Sequence, residues 1–166
     1  LSENKKLINL FSRDHEYHFK SALLMFADNP ITGIGVNNFR KLCLNDKYYT
    51  LPKHLHYSYK SSSCSTHPHN NYIQILTETG LVGFIIFLTL PIYLIVSIIS
   101  HIKSLLFNST RKFNDYQICL ITSVVISLWP LVPTQNFFNN WINVIYFLPI
   151  GFLLHSIYNN SKKYEQ

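Results

Sequence analysis

Charge is what this chain has least of. Asp, Glu, Lys and Arg make up 13% of its 166 residues, against roughly a quarter in an ordinary soluble domain. The shortage is also local: residues 81–100 contain none of the four, and neither does the whole of 117–161. Residues 1–80 hold nine of the 14 basic and six of the eight acidic side chains. Two materials share one chain, which excludes a uniformly soluble domain. No signal-peptide pattern is read at the start of the sequence, where residue 1 is Leu and the first strongly apolar run begins only near residue 81. The expectation is that further chain precedes Leu1. Finally, the formal charge of +6 is not organised into a basic stripe. Lys5-Lys6 and Arg40-Lys41 are isolated pairs with no RNA-binding aromatic motif or helix-turn-helix pattern around them, so no nucleic-acid partner is expected.

What is present is apolar length. Residues 81–100 read LVGFIIFLTLPIYLIVSIIS, and as a helix twenty residues rise about 30 Å, the thickness of a bilayer's hydrocarbon core. Pro91 lies inside this span and should kink it. The uncharged stretch 117–161 is too long for one crossing and is interrupted by Pro130, Pro133 and Thr134-Gln135-Asn136. It reads as two spans, about 118–133 and 141–158, with Trp129, Trp141 and Tyr158 near their ends, where amphipathic aromatics favour the headgroup level. Lys103, Arg111 and Lys112 between the first two spans, and Lys162 and Lys163 after the third, place those segments in the cytoplasm. Residues before 81 then lie on the outer side. The expected organisation is an outer segment over 1–80 and a membrane part over 81–166.

Within the outer segment, residues 14–28 put Tyr17, Leu24 and Ala27 on one helical face with Phe19, Leu23 and Phe26 adjacent, which predicts a partly buried amphipathic helix. It should end before Asn29-Pro30. Gly33-Ile34-Gly35 follows as a tight turn, and not as a dinucleotide fingerprint, because a third glycine and a preceding strand are missing. The run His67-Pro68-His69-Asn70-Asn71-Tyr72 continues to Glu78-Thr79-Gly80 and Gly83. Thr66 or His67 can cap a helix there, with Pro68 in its first turn, and Gly80 ends or hinges it. Asn71, Gln74 and Glu78 would share its polar face.

These motifs resemble the O-antigen ligase and O-antigen polymerase superfamily. His69-Asn70, nine residues, then Gly80 and Gly83 match one of its signatures. Arg13, Asn29-Pro30, Gly33, Gly35 and Phe39 match the other. The resemblance covers residues 13–100 and implies an all-α integral membrane fold: the C-terminal fragment of a multi-pass, GT-C-like glycosyltransferase, with three transmembrane helices after a large periplasmic loop in the bacterial inner membrane. It implies transfer of glycan from undecaprenyl diphosphate to lipid A core in a ligase, or to another lipid-linked glycan in a polymerase, with no cofactor and no metal. Further essential basic residues of the family lie in earlier spans, so the site within this chain is expected to be incomplete.

His69 is the first candidate for catalysis, because an imidazole can accept a proton from an attacking sugar hydroxyl near neutral pH; capping the following helix is its structural alternative. Arg13 suits a diphosphate, whose oxygens its planar fork can pair with bidentately. Asn70, Gln74, Glu78 and His67 are candidates for orienting His69 or binding sugar. Gly33, Gly35, Gly80 and Gly83 are structural candidates. His54, His56, His67 and His69 invite a zinc reading, but His-x-His pairs on an irregular loop lack a defined fourth ligand, and no metal is expected. Residues 45–66 offer Tyr, Lys, His and Ser for glycan contact or a mobile loop. Cys43 and Cys64 flank that segment, and in an oxidising compartment their bridge would contribute roughly 3 kcal/mol. A transport component and a non-catalytic fragment stay open as other classes, although only His155 is ionisable within a predicted span.

Overall fold

The computed structural model describes residues 12–48 and 64–163; the stretch carrying His54 and His56 lies outside the described residues. Five helices follow in order: α1 (Arg13–Asp28), α2 (Phe39–Leu42), α3 (Asn71–Asn108), α4 (Asp115–Ser127) and α5 (Asn140–Lys163). No strand occurs among the described residues.

Ser12 caps α1 by accepting from the His15 N–H, and Asp14 and Glu16 lie in its first turn, where the helix dipole favours anions. The helix runs where expected but buries a different face. His18, Ser21, Ala22 and Met25 are turned inward while Leu23 and Leu24 are about half exposed. The small side chains of Ser21 and Ala22 explain the choice. They let α1 approach α3 closely enough for the Thr77 hydroxyl to donate to the Ala22 carbonyl at 3.2 Å. Ala22, Met25, Phe39, Cys43 and Tyr48 form the core of the outer segment.

The expected helix start at Thr66 or His67 is corrected. His69 has φ 59°, a left-handed conformation that no α-helix interior holds. Helix α3 begins at Asn71 instead, with Asn70 as N-cap accepting from the Tyr72 and Ile73 N–H groups. Its 38 residues are not one rod, because Gly80 is non-helical (φ 66°, ψ −167°) and separates a short, more polar helix from a long apolar one. The latter passes the expected end at residue 100 and continues to Asn108.

Helix α4 has a capping box between Asn114 and Gln117 but only 13 residues, which rise about 20 Å. The helix expected over 118–133 therefore stops at Ser127, short of Pro130 and Pro133. Two helices, α3 and residues 140–159 of α5, are long and apolar enough to cross a membrane. Protein buries only 6% and 11% of their most apolar windows, whereas the core helix of a soluble domain would be mostly buried. The exposed Ile85, Ile86, Val96, Ile145 and Leu154 belong to these helices. A second core joins α3, α4 and α5 through Leu94, Ile121, Val124, Leu128 and Leu153. The described residues are thus all-helical, with two helices fit to cross a membrane.

Candidate active site

The site rests on a splice between two loops. Gly80 interrupts α3 and frees backbone groups on both sides of the break. Residues 30–35 take their place. Ile34 and Gly35 donate to the carbonyls of Thr77 and Glu78 at 3.0 and 2.9 Å, while Leu81 and Val82 donate to those of Pro30 and Ile31 at 2.8 and 3.3 Å. Such close backbone packing leaves no room for a Cβ. One on Gly33 would come within 2.5 Å of the backbone of Glu78 and Gly80, and one on Gly80 would strike the Ile31 carbonyl. The two glycine motifs are therefore halves of one joint. Gly35 (φ 90°) carries the turn onward, and a Cβ on Gly83 would collide with Thr79.

Glu78 and Gln74 fasten this joint from within. Glu78 is 1% exposed; its Oε1 accepts from the Phe39 N–H at 3.2 Å and its Oε2 from Gln74 at 3.2 Å. Gln74, fully buried, also donates to Asn136 Oδ1 at 2.7 Å and accepts from the Phe137 N–H at 3.0 Å. Asn70 caps α3 and donates to the Pro130 carbonyl at 2.7 Å. The polar groups expected to meet sugar are thus engaged by the protein itself. Gln74 binds the loop 134–139 to the helix.

That loop also meets the histidines. Nε2 of His67 lies 3.0 Å from the Thr134 carbonyl and Nδ1 lies 2.8 Å from the Thr66 hydroxyl. A carbonyl only accepts, so Nε2 carries the proton and Nδ1 receives one from Thr66. With both nitrogens engaged and 3% exposure, His67 is an anchor. His69 is only partly buried, with its carbonyl accepting from the Thr134 N–H at 2.9 Å and its Nε2 held by the Ser65 hydroxyl at 2.8 Å. Its ring centroid is 4.1 Å from that of His67 and 5.4 Å from those of both His15 and His18 on α1. Four imidazoles from two segments meet there.

Burial pushes the His69 imidazole below its ordinary pKa, as does the charge of His15, against a partial pull upward from the Thr134 carbonyl. His67 is likewise lowered by burial, opposed by Thr134 and reinforced by His69. Both rings lean towards the neutral form, the state in which an imidazole can act as a base. No group of His, Cys, Asp and Glu among the described residues is arranged to hold a metal ion. Arg13 opens α1 two residues before His15. The sulfurs of Cys43 and Cys64 meet as a disulfide pair, with Cα atoms 5.4 Å apart.

His15, His18, Ser65, Thr134 and Asn136 are not singled out by the sequence motifs. Two have a local signal: His15 and His18 are three apart on the helix that Arg13 opens, and hence share a face. Thr134 and Asn136 lie more than sixty residues from their partners and have none. An apolar groove of about 320 Å³ is lined by Ile75, Gly83, Phe87, Phe137, Phe138 and Phe147.

The family model described as O-antigen ligase matches residues 13–88, the segment holding both halves of the joint. A protein of Rickettsia felis named as a polysaccharide ligase is 32% identical over 112 residues, covering 60% of this chain and 24% of that protein. The chain thus spans about a quarter of that relative's length. No solved structure matches. Over residues 13–88, which carry the spliced glycine joint and the histidine cluster, the chain is similar to the O-antigen ligase family.

Proposed function

We propose that this chain forms the carboxyl-terminal part of a lipid-linked polysaccharide ligase, in which His69 is the general base and Arg13 a contact for the donor diphosphate. The observation that carries the reading is the placement of His69. It is a partly buried imidazole, biased towards neutrality, held between the two family motifs and the loop 134–139, and set just outside an apolar membrane helix. In the proposed step the acceptor sugar hydroxyl gives its proton to His69 as its oxygen bonds to the donor's anomeric carbon. The bond from that carbon to the phosphate oxygen breaks, and its electron pair leaves with the diphosphate, whose charge Arg13 offsets.

The donor is an undecaprenyl diphosphate glycan and the acceptor lipid A core. The apolar groove beside Phe137 and Phe147 suits an isoprenyl chain entering from the outer leaflet. Residues 1–80 form a periplasmic loop on an inner-membrane protein, and three crossings follow: one by α3, one by α4 with residues 128–133, and one by α5. Arg111 and Lys112 then lie on the cytoplasmic side. Asn70, Gln74, Glu78 and His67 support the site by fixing its loops. The test is transfer by His69→Ala and Arg13→Ala in the full-length protein. Both are expected to insert normally and to lose transfer, and normal transfer by both rules the assignments out.

A further inference from the structure

His69 holds a left-handed backbone conformation, φ 59°, and lies outside any helix, with its ring against His15 and His18 of α1. The side chain that hydrogen-bonds it is Ser65, four residues earlier, whose hydroxyl lies 2.8 Å from Nε2. Ser65 is in turn next to Cys64, and Cys64 is paired with Cys43. Cys43 has no exposed surface and sits in the outer core with Ala22, Met25 and Phe39. A covalent tether thus runs from that core to the atom that holds the ring.

We infer that Ser65 is a positioning residue for His69, and that the Cys43–Cys64 bridge keeps its hydroxyl in place. The inference rests on the reading of His69 as the base. A hydroxyl on Nε2 restrains the ring's rotation whichever of the two donates, and an imidazole base works only with its accepting nitrogen turned towards the proton it takes. The tether matters because Ser65 lies in irregular chain, where no secondary structure would hold it. Side chains of this kind must be kept within about 0.5 Å of the productive position.

The experiment compares Ser65→Thr with Ser65→Val in the full-length protein. Thr and Val have nearly the same shape, and only Thr has the hydroxyl. Ser65→Val is expected to lower kcat about tenfold with KM for the lipid donor unchanged, whereas Ser65→Thr keeps kcat near the parent value. If both variants keep activity, or both lose it, the positioning role is overturned, the second outcome pointing to packing alone. Cys43→Ala/Cys64→Ala is expected to lower kcat in the same way, and to add nothing further in the Ser65→Val background, since both changes act through one hydrogen bond. Additive losses would remove the tether from the proposal. Loss of transfer in His69→Ala, measured alongside, separates a failure of this inference from a failure of the base assignment.

Discussion

Gly80→Ala tests the joint on which the site depends. At φ 66° and ψ −167° the backbone is in a region open essentially to glycine, and an L-residue there costs of order 1–3 kcal/mol in strain. The added Cβ would also meet the Ile31 carbonyl and the Gly33 nitrogen, both backbone atoms that no rotamer change can move. To relieve the clash, residues 30–35 must withdraw, which breaks the four hydrogen bonds of the splice. At about 0.5–1.5 kcal/mol each, these add roughly 2–6 kcal/mol. The total, on the order of 3–9 kcal/mol, is enough to detach the loop that carries Asn37, Phe39 and α2. Gly151→Ala is the internal control: nothing lies within 4 Å of a Cβ there, and Ala in a helix is favoured over Gly by about 1 kcal/mol. Detergent-solubilised protein would be assayed for thermal unfolding and for glycan transfer. Gly80→Ala should unfold at a clearly lower temperature and lose transfer, while Gly151→Ala should match or exceed the parent. A Gly80→Ala protein with parental stability would refute the account of the joint.

Two further outcomes follow from the same contacts. His69 and His67 are pushed below the ordinary imidazole value of 6.5, so the folded state binds their protons less readily than the unfolded chain. Their contribution to stability is therefore complete above pH about 6.5 and declines as the pH falls through the folded values. Transfer should have an acid limb below that pH, and His15→Gln, which removes an opposing charge, should move the limb upward; an unmoved limb in a pH-rate profile would count against the pairing of the rings. Gln74→Leu removes one hydrogen-bond donor each from Glu78 Oε2 and Asn136 Oδ1 and the acceptor of the Phe137 N–H, a loss of about 3 kcal/mol. It should appear as lower thermal stability with an unchanged KM for the acceptor, and a raised KM at parental stability would restore Gln74 to the role of sugar contact.

Membrane length and the glycine motifs are legible in the sequence because each is a local property: hydropathy over twenty residues, a residue type at a fixed spacing. The second apolar run misleads for a physical reason of the same kind. Hydropathy reports where a chain tolerates lipid, but Pro130 and Pro133 decide where a helix can continue, so the apolar run 118–133 and the helix Asp115–Ser127 have different ends. The buried face of α1 is hidden because size is a poor guide to which apolar side chains point inward. Close approach of two helices selects small residues, and it is at Ala22 that Thr77 of α3 makes its hydrogen bond. Glu78 and Gln74 illustrate the harder limit. A polar helix face reads the same from sequence whether it meets solvent, sugar or a loop, and here the partner loop lies about sixty residues away. Asn136 and Phe137 hydrogen-bond Gln74, so the polar stripe also holds in place the loop whose Thr134 meets His67 and His69. Chemistry and support, on the proposed reading, are divided between neighbouring residues of one motif: His69 keeps a partly open ring, while Asn70, Gln74 and Glu78 are closed around it by hydrogen bonds that a ligand would have to break.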